Sequence, residues 1–162
     1  MAVTRAQRAA SGPPADVLPP VAVVGCHGGC GSTTLARLLA PAAREVQRDQ
    51  LHTGDDPLLL VARGTAYGMH WATRGVACAH QNIASGWLAA PPLLVLVADS
   101  TLREPQTVRA RLRLVQDRVR AVVRVPYVPA WRDTDDPLSV PPTRPLTEAL
   151  AALRSAVAVR TA

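Results

Sequence analysis

The stretch Val21-Ala22-Val23-Val24-Gly25-Cys26-His27-Gly28-Gly29-Cys30-Gly31-Ser32-Thr33-Thr34 decides the fold of this chain. Val21 to Val24 is a short apolar, β-branched run ending at Gly25, which predicts a buried strand. The glycine-rich segment Cys26 to Gly31 predicts a loop. Ser32-Thr33-Thr34 then opens a helix, with Leu35, Leu38, Leu39, Ala42 and Val46 at helical spacing. Pro41 should end or kink that helix near its second turn, because proline removes a backbone donor and clashes one turn back. A strand, a glycine loop and a helix in this order form a phosphate-binding context. Glycines let backbone N–H groups turn inward, and the helix start adds free donors and a positive dipole end. The candidate phosphate-holding residues are Gly28, Gly29, Cys30, Gly31, Ser32, Thr33 and Thr34, and the Thr33 hydroxyl is placed to ligate Mg²⁺. The full pattern G-x-x-x-x-G-K-[ST] is not met, since Ser32 stands where the lysine belongs. The alternative is a tight strand–helix turn that holds no ligand.

Outward from this turn, apolar runs alternate with helical periodicity. His52 to Asp56 reads as a turn, and Leu58 to Ala62 as a second buried strand closed by Arg63-Gly64. Residues from about Met69 to Gln81 predict a helix with Met69, Ala72, Val76 and Ala79 on one stripe. Leu93 to Ala98 is the clearest strand and ends in Asp99. A helix is expected over about 105–119, a fourth strand over 121–125, an acidic then Pro-rich connection over 132–145, and a last helix carrying Leu146, Leu150, Leu153 and Val157. Fully apolar strands alternating with helices predict a parallel sheet covered on both faces, with ligands at the carboxyl ends of the strands. Residues 1–19 form a Pro/Gly/Ala-rich arm expected to be disordered, followed by one domain over 20–160.

Composition narrows the chemistry. All 18 basic residues of the 162 are arginine; the chain has no lysine and no phenylalanine, and 15 prolines. The excess of Ala, Arg, Pro and Gly indicates a GC-rich coding bias. The lack of lysine excludes a Schiff-base enzyme, a Ser–Lys hydrolase and a phosphate-loop ATPase supplied with its own lysine. No apolar run approaches the length of a membrane span, and the first twenty residues lack the apolar core of a secretory signal. The three cysteines, an odd number with no export signal, suggest reduced thiols in a cytoplasm. The net charge is +6, and seven arginines between Arg103 and Arg124 face only Glu104 and Asp117. On the predicted helix, Arg109, Arg113 and Arg120 fall on one flank and Arg111 and Arg118 on the other. Such a face would suit nucleic acid or another acidic partner, or would be a solvated face in an arginine-rich chain.

The segment His27-Gly28-Gly29-Cys30-Gly31-Ser32-Thr33-Thr34 resembles the deviant Walker A loop K-G-G-x-G-K-T-T of the ParA/MinD-type P-loop ATPases, with both lysines replaced, by His27 and by Ser32. Leu93 to Asp99 is similar to the family strand ending in a base-recognising Asn, and Val125-Pro126-Tyr127 to its V/I-P-x element near the base. The D-x-x-G of Walker B is missing; Ala62-Arg63-Gly64-Thr65 stands there instead. Residues 21–132 more closely resemble a short actinobacterial family with lysine-free glycine loops, linked to conjugative and other mobile elements. That resemblance rests also on the L-V-A-R, L-V-A-D and V-P-x-V-x-x-W-R segments, and it implies fold and lineage but no activity. The ParA/MinD resemblance implies ATP or GTP with Mg²⁺ as cofactors; the alternative is no cofactor. Arg63 is a candidate phosphate ligand, through a bidentate guanidinium, or a surface residue paired with Asp55 or Asp56. Asp99 is a candidate Mg²⁺ ligand beside Thr33, a neighbour of the base, or a turn residue.

Other constellations are weaker. Cys26, His27, Cys30, Cys78 and His80 have the wrong spacing for zinc, because Cys78 and His80 point to different faces of a helix. The order C-H-x-x-C is not that of haem attachment, no G-x-S-x-G is present, and Asp133, Asp135 and Asp136 lack the glycine and glutamate of a calcium loop. Tyr127 and Trp131 could stack on a base or cap the core. The expectation is a three-layer, P-loop-like α/β domain with a mostly parallel sheet of four or more strands. Its expected role is that of a nucleotide- or phosphate-binding regulatory protein with little or no ATP hydrolysis, in DNA mobilisation or positioning, with a protein partner. The alternatives are an interaction module that kept the fold and lost the ligand, and a basic DNA-associated accessory protein using Arg109, Arg113 and Arg120.

Overall fold

The computed structural model describes residues 18–159; the arm expected over 1–19 lies outside them except for Leu18 and Pro19, and Leu18 packs against the core. Five parallel strands form one sheet: β1 (Val21–Gly25), β2 (Ala43–Glu45), β3 (Leu58–Arg63), β4 (Leu93–Val97) and β5 (Val122–Val125), in the order β2-β1-β3-β4-β5. Four α-helices cover it: α1 (Ser32–Leu38), α2 (Ala66–Ala84), α3 (Gln106–Val115) and α4 (Arg144–Ala158).

Alternation along the strands sorts the core into two halves. Ala22, Val24, Leu58, Leu60, Ala62, Leu94 and Leu96 pack against α2 and α3, through Met69, Ala72, Val76, Val108 and Leu112. Val21, Val23, Leu59, Val61, Leu93, Val95, Val97, Val123 and Val125 pack on the other face against α1 and α4, through Leu35, Leu39, Leu146, Leu150, Leu153 and Val157. The molecule is therefore a three-layer α/β domain. Strands buried on both faces need apolar side chains in both directions, and this is why β1, β3 and β4 read as unbroken apolar runs.

The chain leaves β1 toward β2 through α1, then returns to the other side of β1 to form β3. The direction of winding thus reverses between β1 and β3. In doubly wound sheets the crevice outside the carboxyl ends of the strands at that reversal is where ligands bind. Here the β1–α1 turn and the β3–α2 turn diverge from it.

Three local expectations differ from the structure. The first helix stops at Leu38, before Pro41, as a proline there allows, but the helical spacing read on through Ala42 and Val46 does not continue it: residues 43–45 between them form the edge strand β2, paired in parallel with Val21–Val23. The helix expected over 105–119 ends at Val115 and continues as one 3₁₀ turn, Gln116–Arg118; the strand after it is the fifth and not the fourth, because β2 adds one to the count. The helix expected over 69–81 is longer, because the Thr65 side chain caps its start by accepting from the Gly68 N–H. No helix among the described residues is long and apolar enough to cross a membrane.

Candidate functional site

The glycine turn crosses the carboxyl edge of the sheet and is held there from both sides. Gly29 (φ 71°) and Gly31 (φ 96°) are left-handed, a conformation that costs glycine nothing and any other residue strain. Gly28 and Gly29 are exposed, with open space where a Cβ would stand. Cys26 and Cys30, flanking the turn, point into opposite halves of the core: Cys26 toward α2, Cys30 toward α1 and α4. Both are buried free thiols. Burial foremost, then the neighbouring Cys30, pushes the Cys26 thiol up to about 12, with Arg48 opposing the shift.

His27 ties the turn to β3. Its Nε2 accepts from the Arg63 backbone N–H at 3.1 Å, and its Nδ1 lies 2.9 Å from the Gly28 carbonyl oxygen. An acceptor at Nε2 requires the proton on Nδ1, which donates to Gly28, so the neutral imidazole satisfies both contacts. The ring is buried and meets Tyr67 edge-on at 5.3 Å between centroids. His27 is thus a structural clip at the position where the resembled loop carries its first lysine.

Arg63 reaches across the turn. Its Nε donates to the Gly29 carbonyl at 3.1 Å and its Nη1 to the Ala98 carbonyl at 3.3 Å. It pairs with neither Asp55 nor Asp56; Arg44 takes Asp56 instead. Ala98 leads into Asp99, which is exposed and lines a small cleft of about 100 Å³ with Arg63, Tyr127, Trp131 and Arg132. The Arg132 guanidinium stacks on Tyr127 at 5.4 Å. The turn, Arg63 and Asp99 therefore share one end of the sheet.

Glu45, which sequence reasoning did not single out, faces the start of α1. Its carboxylate accepts from the Ser32 hydroxyl at 2.7 Å and from the Thr33 hydroxyl at 2.9 and 3.1 Å. A carboxylate at a helix N-terminus is favoured by the dipole and holds the hydroxyls that a bound phosphate or Mg²⁺ would use. The only sequence signal for it was a lone acid twelve residues beyond Thr33. Thr33 and Glu45 are hard oxygen donors of the kind Mg²⁺ takes. Among the described residues no group of three or more His, Cys, Asp or Glu side chains converges as a metal site.

The arginines of 103–124 do not form the flank expected of them. Because α3 stops at Val115, Arg120 leaves the helix register, and its Nη2 donates to the carbonyls of Ala156 (3.2 Å) and Val159 at the end of α4. Arg109 is partly buried, Arg111 donates to the Ala66 carbonyl, and Arg124 pairs with Glu104. Arg113 is exposed. Arg109, Arg113 and Arg120 thus have three different surroundings. Comparison of the chain with protein-family models, with curated proteins and with solved structures finds no match.

Proposed function

We propose that this domain is a regulatory module that takes the phosphates of a nucleotide on its glycine turn and hydrolyses them little or not at all. One observation carries the reading: the open turn of Gly28 and Gly29 sits at the winding reversal of the sheet, with the Arg63 guanidinium laid across it. Backbone donors of the turn and of the first residues of α1 would hold phosphate oxygens, and Arg63 would add charge by exchanging its carbonyl contacts for the ligand. With Mg²⁺ bound, Thr33 and Glu45 would be its protein ligands, and the ion would neutralise charge between the phosphates.

Hydrolysis needs more than a cradle. Phosphoryl transfer depends on fixed positive charge around the developing transition state, and the chain has no lysine at all. Losing one such group costs about 3 kcal/mol, or roughly two orders of magnitude in rate. Arg63 faces the loop backbone from β3 and does not replace a lysine on the loop itself.

A second reading is favoured by the Glu45 contact. That carboxylate already satisfies Ser32 and Thr33, so the fold could serve as a protein-interaction module with no ligand. Thermal unfolding with ATP or GTP, with and without Mg²⁺, separates the two, since a ligand that binds only the native state raises its stability by mass action. Under the nucleotide reading, Glu45→Gln removes a negative charge beside the phosphates and enlarges the shift in the absence of Mg²⁺. No shift in wild type or Glu45→Gln with any of the four additions overturns it in favour of the interaction module.

A further inference from the structure

On the face of the sheet covered by α2, a cavity of about 360 Å³ opens between that helix and the segment after β2. Val24, Leu51 and Gly75 contribute to its apolar wall, and Cys78 lines it with a half-buried thiol. Trp71 lines it too, and its indole Nε1 is buried without a hydrogen-bond partner among the described residues.

The rim carries like charges. The guanidinium of Arg48 lies 5.7 Å from the centre of the Trp71 ring and that of Arg74 lies 5.3 Å from it. Both arginines line the cavity, and both are exposed. Neither is in an ion pair among the described residues, where the four ion pairs use Arg37, Arg44, Arg124 and Arg144. Arg48 spends one N–H on the Cys26 carbonyl at 2.9 Å. Two cations stacked on one indole, neither in an ion pair among the described residues, repel each other and attract an anion. Below them lies an apolar space of the size that small-molecule sites have.

From this juxtaposition we infer that the cavity is a binding site for a small organic acid with an apolar body, a medium-chain or aryl carboxylate. Its tail fills the space lined by Val24, Leu51 and Gly75. Its carboxylate lies between Arg48 and Arg74. The site borders the glycine turn at Cys26, whose carbonyl holds Arg48, and needs no nucleotide.

Cys78 reports occupancy, because it lines the cavity and is the one cysteine of the chain that is not fully buried. The experiment follows alkylation of Cys78 by iodoacetamide, mapped by peptide mass, with octanoate, 1-octanol or inorganic phosphate added. Octanoate is expected to slow alkylation about tenfold at ten times its dissociation constant, by mass action. Octanol should protect far less, and phosphate not at all. In the double variant Arg48→Gln/Arg74→Gln, octanoate should protect no better than octanol. Equal protection of wild type by octanol and octanoate would mean a merely greasy groove and would overturn the assignment. So would the absence of protection by octanoate, or an undiminished preference for it in the double variant. The wild-type comparison stands even if that variant folds poorly.

Discussion

Two glycines on α2 give the sharpest test of how the β3–α2 turn is built. Gly68 and Gly75 lie on the same helix, and at both the change to alanine raises intrinsic helix propensity by about 1 kcal/mol. Their surroundings differ. A Cβ at Gly68 would overlap the Arg63 carbonyl oxygen and stand 2.9 Å from the carbonyl carbon and 3.0 Å from the nitrogen of that residue. These are backbone atoms at the end of β3, held by the His27 contact and by the sheet, and they cannot swing aside. Overpacking of a close-packed interior costs up to about 3 kcal/mol, so Gly68→Ala should lose about 2 kcal/mol net of propensity. For a domain of this length that lowers the melting temperature by roughly 4–8 °C. At Gly75 the new Cβ would meet the Cys26 Sγ at 3.3 Å and the Leu60 Cδ1 at 3.5 Å, both side-chain atoms with room to give. Gly75→Ala should therefore melt within about 2 °C of wild type, because the propensity gain offsets the squeeze. Thermal and urea unfolding followed by circular dichroism measure both variants. If Gly68→Ala melts with or above wild type, or if Gly75→Ala falls as far as Gly68→Ala, the close approach of α2 to Arg63 is not what sets this turn.

Removing the clip, His27→Ala, leaves the Arg63 N–H without its acceptor and should cost about 1–3 kcal/mol in urea unfolding, beyond any packing loss. Cys26 imposes an alkaline limit. The folded thiol keeps its proton up to about 12 while the unfolded chain releases it near 9.0, so the unfolded state binds fewer protons in between. Stability is complete below pH 9 and falls as pH rises from there toward 12, and urea midpoints in that range should fall less steeply for Cys26→Ala. At neutral pH the same burial should leave Cys78 the first thiol alkylated in native protein, with Cys26 and Cys30 reacting only after denaturant is added.

Much of the site's frame was legible because it depends on short-range rules. Val21–Gly25, the glycine turn and the helix start at Ser32 follow from an apolar run, left-handed glycines and a proline stop at position 41. The stripe Met69, Ala72, Val76 and Ala79 is fully buried as its spacing predicts. By contrast, Ala43–Glu45 is three residues long, two of them charged, at the edge of the sheet. Nothing in it alternates or runs apolar, and it is a strand only because β1 lies alongside. The Arg120 side chain eluded a helical-wheel argument for a related reason, since α3 unwinds five residues before it and the end of α4 supplies carbonyls from far along the chain.

The sequence by itself determined the layers and the turn: where apolar runs fall, where glycine permits a positive φ, and that no lysine exists to drive phosphoryl transfer. These are properties of neighbouring residues or of bare composition, and no fold can change them. Only the tertiary structure decided what faces the turn and what lines the cavity. Parallel pairing of β1 with β2 sets the Glu45 carboxylate against Ser32 and Thr33, and docking of α2 brings Trp71 and Arg74 beside Arg48. Such contacts join residues a dozen or more positions apart, and they form only once burial of the apolar strands has closed the intervening loops.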